Sequence, residues 1–529
     1  MNSRYLASLA LLIGGVSAQV TSQRIIDAAK TPADWLTYSG GYSGWRHSPL
    51  SQITRENAFK LKVKWIYQMP TTHTVETTPL VVDGIMYFTE PPSNVVAVDA
   101  ETGRQFWRYR RVLPSKINVC CGQVNRGVAV MGDRVFVGTV DAHLVALDAK
   151  TGSVLWDVAV ADYTKGYSVT VAPLVVKDKI ICGIAGGEYG IRGFLDAYDP
   201  KTGNRLWRFW TVPEPGQPGN ESWSGDSWKT GGGPTWVTGS FDPTQNLIIW
   251  GTGNPSPDWN GDSRLGDNLY TDSAIALDAD TGKLKWHFQF VPHDVHDWDA
   301  VQVPVLVDDQ WEGKPRKLVY WAHRNAFFYV LDRETGRFLL GKPFATQTWA
   351  KGLGPNGRPI RLPNIDPSPE GTYLTPGVQG ATNWYSPSYS LLTKLFYLAA
   401  WENRSVYRKG EQEYSPGNRY IGSVPLIDLP DDPGHGAIRA LNPKTGERVW
   451  EYKLHTKPWA GLLSTAGQLV FGGSDEGHIF SLDAETGKER FRLNLGGIIR
   501  ANPITFLSKG KQVVVIAAGS AIVALHIED

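Results

Sequence analysis

One pattern, Ala-x-Asp-x-x-Thr-Gly-x-x-x-Trp, recurs along most of this 529-residue chain. Repeats of about 40–50 residues are typical of propellers and solenoids, because one unit cannot bury its apolar face alone. The pattern therefore constrains the fold more than any other feature of the sequence. Its seven copies, of which the fifth, sixth and seventh are looser, begin at Ala97, Ala146, Ala197, Ala276, Val330, Ala440 and Ser481 and end at Trp107, Trp156, Trp207, Trp286, Leu340, Trp450 and Phe491.

Each copy predicts the same local structure. An alternating segment such as Val95–Asp99 is typical of a strand, the Asp/Thr-Gly residues predict a tight turn, and the aromatic residue lies on the returning strand. The Asp and Thr side chains can bond backbone groups of the turn. The small alanine leaves room for a tryptophan from the neighbouring sheet to lie flat. The chain is therefore predicted to be all-β and antiparallel.

An eighth unit is predicted from the two ends of the chain. Gln512–His526 has Ala524 at the alanine position, and strand-forming residues lie near Trp35–Trp45. A sheet that joins the two ends would close a ring and remove exposed edges. We therefore predict a single eight-bladed β-propeller with tryptophan-docking repeats over residues 19–529, with a solenoid as the alternative.

The N-terminus has the features of a secretory signal. Arg4 precedes an apolar run from Leu6 to Val16, and small residues follow before Gln19, which predicts a signal peptide over residues 1–18. No stretch is long and apolar enough for a membrane span. Lys and Arg number 53 against 52 Asp and Glu, a balance that gives no field for nucleic acid. The chain is thus expected to be exported, to the periplasm.

Three long stretches without the repeat, 212–233, 345–381 and 409–436, are rich in loop-forming residues. Loops of this length in a compact domain are usually functional or disordered. We expect them to form walls over the face of the propeller that holds the site.

Two of the three cysteines, Cys120 and Cys121, are neighbours in the sequence. Adjacent Cα atoms lie about 3.8 Å apart, whereas ordinary disulfides span about 4.4–6.8 Å, so a bond between them would close a strained, flat ring. An oxidising compartment favours that bond. The alternative is a pair of reduced thiols packed in a strand. Cys182 is expected to be a buried strand residue.

Charged or polar residues interrupt the expected strands in three more places. These are Ala185–Gly190, which contains Glu188; Gly251–Pro255, which contains Asn254; and His293–Asp299, which contains Asp297. Each segment lies in a different blade, so the ring can bring all three to its axis. Their oxygen donors suit a hard cation of high coordination number. His293 and His296 raise the alternative of zinc, but the remaining donors are oxygens.

Together, the cysteine pair and these motifs resemble the pyrroloquinoline quinone (PQQ)-dependent alcohol dehydrogenases, the methanol and ethanol dehydrogenase group. The resemblance covers essentially the whole mature chain. It implies a vicinal disulfide stacked on one face of PQQ and Trp236, in Gly233-Pro234-Thr235-Trp236, on the other. The positions implied to contact PQQ are Glu76, Cys120, Cys121, Arg126, Thr170, Gly186, Gly187, Trp236, Arg324, Asn383 and Trp459.

The resemblance also implies the chemistry. Asp297, in the His-Asp-x-x-Asp motif, would be the catalytic base, and Arg324 would bond the quinone oxygens while a small alcohol is oxidised to its aldehyde. Glu188, Asn254 and Asp297 would hold the cation. No Cys-x-x-Cys-His haem motif occurs, so a separate cytochrome c is the implied electron acceptor. A homodimer is left open.

Asp299 favours a lanthanide over Ca²⁺. Residues two apart on an extended strand point to the same face, so Asp297 and Asp299 can both face the cation. With Glu188 and the carboxylates of PQQ, this crowding calls for more positive charge than Ca²⁺ supplies. In the resembling family an acid at this position marks the lanthanide-dependent members, and Gly187 leaves room for the larger ion.

Two departures from the family pattern concern the substrate. His296 stands where many members have a tryptophan, and Ala185 replaces a polar position. The alternatives are therefore a Ca²⁺-dependent enzyme for a larger alcohol or a sugar, and a non-enzymatic binding or assembly propeller.

Overall fold

In the computed structural model, which describes residues 20–425, 429 and 432–528, the chain is an eight-bladed β-propeller. Each blade is a four-stranded antiparallel sheet, as the repeats predicted. The predicted signal peptide over residues 1–18 lies outside the described residues. Among the helices of the described part, none is both long and apolar enough to cross a membrane.

In each of the first four blades, the four strands follow one another directly in the sequence order of strands. Blade 1 comprises Leu80–Val82, Ile85–Glu90, Asn94–Asp99 and Gln105–Tyr109; blade 2 comprises Ala129–Met131, Arg134–Gly138, His143–Asp148 and Val154–Ala159; blade 3 comprises Leu174–Val176, Lys179–Gly183, Phe194–Tyr198 and Arg205–Trp210; and blade 4 comprises Ser240–Asp242, Leu247–Gly251, Ser273–Asp278 and Leu284–Gln289.

The last four blades include the longer connections and the closure of the ring. Blade 5 comprises Val305–Trp311, Lys314–Ala322, Phe327–Asp332 and Phe338–Pro343; blade 6 comprises Ser388–Tyr389, Phe396–Glu402, His435–Leu441 and Arg448–Leu454; blade 7 comprises Leu463–Thr465, Leu469–Gly473, His478–Asp483 and Glu489–Asn494, with His47–Ser48 added in parallel; and blade 8 comprises Ile504–Ser508, Lys511–Ala518, Ala521–His526 and Lys62–Gln68.

Short elements complete the described part. One α-helix spans Ser22–Ile26, and two small sheets pair Ala350–Leu353 with Pro359–Arg361 and Thr372–Leu374 with Ser405–Tyr407. The 3₁₀ turns are Ala28–Lys30, Ala58–Lys60, Tyr163–Lys165, Gly187–Tyr189, Asn220–Ser222 and Ser227–Thr230.

A tryptophan docks most blades onto the next one, whereas Leu340 and Phe491 stand at its position in two repeats. The Nε1–H of Trp107 donates to the carbonyl of Ala149 at 3.0 Å, and a Cβ on Gly152 would lie 2.5 Å from the same ring. The turn is held as expected, because Asp148 Oδ1 accepts from the backbone N–H of Thr151 at 2.8 Å. The ring of the tryptophan thus packs on the glycine of the next turn. Ala97 instead pairs in register with Trp107 within the same blade. The same contact recurs for Trp65, Trp156, Trp207, Trp286 and Trp450.

The ring closes with a different segment from the one predicted. Lys62–Gln68, not Trp35–Trp45, is the N-terminal strand of blade 8, and Trp65 pairs in register with Ala524. Trp35 instead forms an isolated bridge with Val81 in blade 1. The prediction that both chain ends share one sheet is confirmed, and its N-terminal boundary is corrected.

The predicted long loops pack over the segments that carry the polar motifs. Tyr420 donates its backbone N–H to the carbonyl of Glu188 at 2.7 Å, and the carbonyl of Ile365 lies 2.9 Å from His296 Nε2. The carbonyl of Val378 accepts from Arg324. These loops therefore form walls at the same place as the candidate site.

Candidate active site

A tight turn presents Asp297 in an unusual backbone conformation. Asp294 Oδ1 accepts from the N–H of His296 at 3.2 Å, and Asp294 Oδ2 accepts from that of Trp298 at 3.0 Å. Between them Asp297 has a φ of 59°, in the left-handed region that few non-glycine residues adopt. Its Oδ1 atom is buried without a hydrogen-bond partner. The turn thus holds one carboxylate oxygen free for a ligand.

Arg324 joins the two acidic residues of this segment. It follows the second strand of blade 5, and its Nη1 donates to Asp299 Oδ2 at 2.5 Å while its Nη2 lies 3.4 Å from Asp297 Oδ2. Val378 O fixes the same Nη2. Gly380 is required beside it, because a Cβ there would lie 2.6 Å from Arg324 Cβ. The guanidinium is therefore held rigidly between both carboxylates.

Two glycines allow the metal-ligand candidates of separate blades to meet. A Cβ on Gly187 would lie 2.6 Å from Asn254 Oδ1, and a Cβ on Gly253 would lie 2.2 Å from Asp299 Oδ1. Asn254 also donates its backbone N–H to Asp299 Oδ1 at 2.6 Å. The segments expected to carry Glu188, Asn254, Asp297 and Asp299 are thus brought together. Gly186 allows a separate close approach, to Gly166: its φ is 124° and a Cβ would lie 2.3 Å from Gly166 O.

Burial and mutual repulsion act on the carboxyl groups. Burial raises the pKa of Asp297 well above its usual value, with Asp299, Asp258 and Glu188 adding to the effect and Arg324 opposing it. Burial likewise raises the pKa of Asp299 to about 6. Within the described part of the chain six acidic groups here face two guanidiniums: Glu188, Asp258, Asp272, Asp294, Asp297 and Asp299, with Arg264 and Arg324.

This donor set fits a hard, multivalent cation. Carboxylates in excess over cations are costly to bury unless a further positive charge is supplied. The free Oδ1 of Asp297 and the amide oxygen of Asn254 are donors of the type that such ions prefer. The residues present therefore suit the predicted ion, although Arg324 also contacts two of the four candidate ligands.

Three residues of the site were not predicted from the sequence. Asp258 accepts from Asn254 Nδ2 at 3.0 Å, and its other oxygen has no partner. Both oxygens of the buried Asp272 lack partners. Arg264 is fully buried and donates to the carbonyl of Asp294 at 2.6 Å. The spacing of Asp258 four residues after Asn254, in one loop, was the only available signal.

A second group of predicted residues surrounds Arg126. Its Nη1 donates to Thr170 Oγ1 at 3.0 Å, and its Nη2 lies 2.7 Å from Glu76 Oε2. The guanidinium carbon lies 4.7 Å from the ring centre of Trp236 and 4.8 Å from that of Trp384. Its Nε is buried without a partner. A cation and flat aromatic rings are the groups that an anionic aromatic cofactor requires.

Trp236 links this group to the acidic one. Pro234, two residues before it, accepts from the backbone N–H of Gly253 at 2.7 Å. Asn383 precedes Trp384 and donates its Nδ2 to the carbonyl of Gln379 at 2.9 Å. The guanidinium carbon of Arg500 lies 5.1 Å from the ring centre of Trp459. The charge of Arg500 also acts on the carboxyl group of Glu76. The structure thus connects these PQQ-contact candidates through direct neighbours.

The cysteine pair lies next to Glu188, and a disulfide between Cys120 and Cys121 stays a prediction. Cys121 has a φ of 60°, and the two sulfurs and a carboxylate oxygen of Glu188 lie within 4.8 Å of one another. Cys182 is buried in its strand, as expected.

The two histidines of the Asp297 segment are bonded to different loops. His293 Nδ1 bonds Gly266 O at 2.8 Å, whereas His296 Nε2 bonds Ile365 O at 2.9 Å. His296 is buried and stacks on Trp298 with ring centres 4.5 Å apart. Each ring is therefore bonded to a different loop.

Comparison with known proteins agrees with this geometry. Residues 35–342 match the family described as the glucose/ethanol/alcohol dehydrogenase β-propeller domain, and residues 434–529 match the one described as outer membrane protein assembly factor BamB. The quinoprotein alcohol dehydrogenase PedH of Pseudomonas putida is 39% identical over 97% of this chain and 90% of its own. The lanthanide-dependent methanol dehydrogenase of Methylacidiphilum fumariolicum is 35% identical over 97% of this chain and 88% of its own.

Solved structures give the same result. A europium-containing methanol dehydrogenase superposes with a TM-score of 0.90 at 32% identity, covering 95% of this chain and all of its own. The quinohemoprotein alcohol dehydrogenase ADHIIG of Pseudomonas putida reaches 0.91 at 34% identity, over 97% of this chain and 83% of its own. The alternative of a non-enzymatic assembly propeller is thereby set aside. The chain is a member of the PQQ-dependent alcohol dehydrogenase family of oxidoreductases.

Proposed function

We propose that this enzyme oxidises a small primary alcohol of the methanol and ethanol class to its aldehyde, with Asp297 as the base and a lanthanide ion as the metal. The observation that carries the proposal is the free, buried Oδ1 of Asp297 beside an arginine that holds the other oxygen. The chain would act in the periplasm, and a cytochrome c would accept its electrons. With only three cysteines and no Cys-x-x-Cys-His motif, the chain has no haem attachment site of its own.

The geometry suits proton transfer by Asp297. An alcohol is a very weak acid, so its hydroxyl proton must move to a positioned base as the carbon–hydrogen bond breaks. Asp297 Oδ1 takes the proton, while Oδ2 stays beside Arg324. The loops that carry Ile365 and Val378 bond His296 and Arg324 beside the turn. When bound, PQQ accepts the hydride, and the cation polarises its quinone carbonyl.

The other predicted residues hold the cofactor. Arg126, which is paired with Glu76 and Thr170, supplies a fixed positive charge for a carboxylate. Trp236 and the Cys120–Cys121 pair would hold the quinone between them. Arg324 would donate to its oxygens. Asn383, Trp459, Gly186 and Gly187 complete the pocket.

The second part of the proposal concerns the identity of the metal ion and its ligands. Glu188, Asn254, Asp297 and Asp299 are the proposed ligands, and the excess of buried carboxylates favours a trivalent ion over Ca²⁺. The names of two relatives, one lanthanide-dependent and one europium-containing, support this choice. The competing function is a Ca²⁺-dependent dehydrogenase of a larger alcohol or sugar, which His296 favours, because it stands where many members have a tryptophan.

Reconstitution tests both versions. The metal-free chain is supplied with PQQ and either La³⁺ or Ca²⁺, and dye-linked oxidation of C1–C6 alcohols and of sugars is measured. We expect activity with La³⁺ on the short alcohols and at least a tenfold lower rate with Ca²⁺. Equal rates with both ions would contradict the lanthanide assignment. No quinone absorbance and no activity with either ion would contradict the whole proposal.

The Asp299→Ala variant sharpens the metal test. Loss of this carboxylate should weaken La³⁺ binding more than Ca²⁺ binding, because it removes one negative charge from the site. Asp278→Asn, in the turn of blade 4, is the matched control. A homodimer, which the resemblance left open, is tested by light scattering of the same samples.

A further inference from the structure

Asp258 is a buried carboxylate whose contacts differ from those of the other turn aspartates. It is 1% exposed, its Oδ1 accepts from Asn254 Nδ2 at 3.0 Å, and its Oδ2 has no partner among the described residues. Repeat aspartates such as Asp148 accept from backbone N–H groups of their own turns. Asp258 instead bonds the side chain of a proposed metal ligand. Because an incompletely bonded carboxylate is costly to bury, we expect its contribution to lie in the site and not in folding.

The amide of Asn254 can present two different atoms to an ion. Its oxygen is a metal ligand, whereas its NH₂ group is a donor that a cation repels. Nδ2 donates to Asp258 Oδ1 at 3.0 Å and to the carbonyl of Pro255 at 3.3 Å, so both of its hydrogens have acceptors. Oδ1 points to the other side, where a Cβ on Gly187 would lie 2.6 Å away. The oxygen therefore faces the segment that carries Glu188.

A carboxylate is well suited to fix this orientation. When ionised it can only accept hydrogen bonds, so it holds the NH₂ group of the amide and rejects the oxygen. The positive charge of a bound cation favours the ionised form. Groups that orient metal ligands through hydrogen bonds typically change metal affinity by about 10–100-fold.

Arg264 holds the backbone on both sides of this contact. Its side chain is fully buried, and its Nη2 donates to the carbonyls of Pro257 at 2.9 Å, Asp294 at 2.6 Å and Asp258 at 3.3 Å. The loop that carries Asp258 is thereby tied to the turn that carries Asp297. The carboxylate of Asp258 thus acts from a fixed position.

We propose that Asp258 is a positioning residue for the metal, because it holds the amide of Asn254 with its oxygen toward the ion. The inference rests on the proposed role of Asn254 as a metal ligand, and it adds a residue that the family resemblance did not supply. Asp258 lies close enough to Glu188 and Asp299 for their charges to interact, so it adjoins the same donor set. The role is the same for a lanthanide and for Ca²⁺, because both ions take the amide oxygen.

Three variants separate orientation from charge. Asp258→Ala removes the acceptor and the charge, whereas Asp258→Asn removes the charge but keeps an acceptor oxygen. Asp262→Ala is the matched control, because Asp262 lies in the same loop, is exposed and pairs with Lys409. La³⁺ binding to the metal-free, full-length chain is measured calorimetrically. We expect Asp258→Ala to weaken binding by about 10–100-fold, Asp258→Asn by at least threefold less than that, and the control by less than about twofold.

Europium luminescence gives a readout that a general loss of stability would not change. The lifetimes of bound Eu³⁺ in H₂O and D₂O report the number of coordinated water molecules. If the amide oxygen leaves the ion in Asp258→Ala, a water molecule takes its place, so the count should rise by about one. It should stay unchanged in Asp258→Asn and Asp262→Ala. Asn254→Ala, which lacks the amide, sets the value for complete loss of this ligand.

Two sets of results would contradict the proposal in different ways. Equal weakening by Asp258→Ala and Asp258→Asn, or an unchanged water count in Asp258→Ala, would overturn the positioning role alone. Absence of La³⁺ and Eu³⁺ binding by the wild type would contradict the proposed metal site itself and the positioning role with it. Circular dichroism checks that each variant is folded. Asp258→Leu, which has a similar shape and no acceptor, replaces Asp258→Ala if that variant does not fold.

Discussion

The docking turns of the repeats, here called the rim, and the candidate active site at the axis use the same residue types in opposite ways. At the rim, every described docking tryptophan of the repeats donates its Nε1–H to a carbonyl of the next blade, as Trp107 does to Ala149. In the site, Asp297, Asp258 and Asp272 keep carboxylate oxygens without partners. Buried polar groups are normally satisfied. The unsatisfied ones therefore mark where the molecule gives up stability for binding.

Aspartates show the difference most directly. Asp148 lies in an exposed turn and accepts from two backbone N–H groups of that turn, at 3.0 and 2.8 Å. Its pKa is lowered by its hydrogen bonds with Thr151 and Lys150, although partial burial opposes them. Burial instead raises the pKa of Asp297. The same side chain is thus a structural cap at the rim and a candidate base at the axis.

The largest expected effect is that of Asp297→Asn. Removing a positioned general base should lower kcat for the alcohol by about 10²–10⁴-fold. The matched change at the rim, Asp278→Asn, should leave kcat within about twofold and lower thermal stability slightly. Steady-state kinetics and circular dichroism of both variants provide the measurement. An Asp297→Asn enzyme with normal kcat would remove the distinction between the two regions.

Next in size is the effect of Gly152→Ala. The new Cβ would lie 2.5 Å from the ring of Trp107 at a φ of +73°, so overpacking and backbone strain together should cost about 2–4 kcal/mol of unfolding free energy. Gly84→Ala is the control, because its φ is +81° but nothing lies within 4 Å of its Cβ. It should cost about 1–2 kcal/mol from strain alone. Denaturant unfolding measures both, and equal losses would mean that tryptophan docking adds nothing.

A scaffold histidine gives a pH-dependent effect. Burial lowers the pKa of His47 to about 4, while its Nδ1 bonds Ser464 Oγ at 2.8 Å. The folded state therefore binds fewer protons than the unfolded state below pH 6.5. The contribution of His47 to the free energy of unfolding is complete above pH 6.5. It falls by up to about 3 kcal/mol as the pH drops to about 4.

The His47→Gln variant isolates this contribution. The difference in unfolding free energy between wild type and variant should shrink as the pH falls from 6.5 to 4. Equilibrium unfolding at several pH values makes the comparison. A pH-independent difference would show that protonation of His47 is not coupled to unfolding.

The smallest expected effect is that of Trp107→Phe. It removes one hydrogen bond and part of one ring, at a cost of about 1–2 kcal/mol. The neighbouring Phe106 is 45% exposed, so Phe106→Leu should change stability by less than about 0.5 kcal/mol. Thermal unfolding distinguishes the two. Activity per folded molecule should be unchanged in both, because neither residue belongs to the candidate site.

The repeats predicted the fold because their signal is local. Each Asp/Thr-Gly turn and its tryptophan occur within one short segment, so seven units could be counted directly. The eighth depends on Lys62–Gln68 meeting Ala521–His526, a pairing across almost the whole chain. Trp65 has no turn motif of its own before it. The segment near Trp35 was therefore chosen wrongly.

The site was predictable only where a motif carried it. Asp297, Asn254 and Arg324 lie in recognisable segments and are found near one another. Arg264 and Asp272 lie in irregular loops whose importance arises only from burial and from the charges around them.

The shared last sheet has a consequence for how the molecule is made. The strand Lys62–Gln68 must wait for Ala521–His526, so the ring stays open until nearly all of the propeller has been synthesised. Pairing between such distant segments is slow. During that interval two sheet edges are exposed, and the acidic cluster lacks the opposing blades that fix its spacing. Ions and cofactor should therefore be captured stably only after closure, and a protease cut just before Ala521 should release both together.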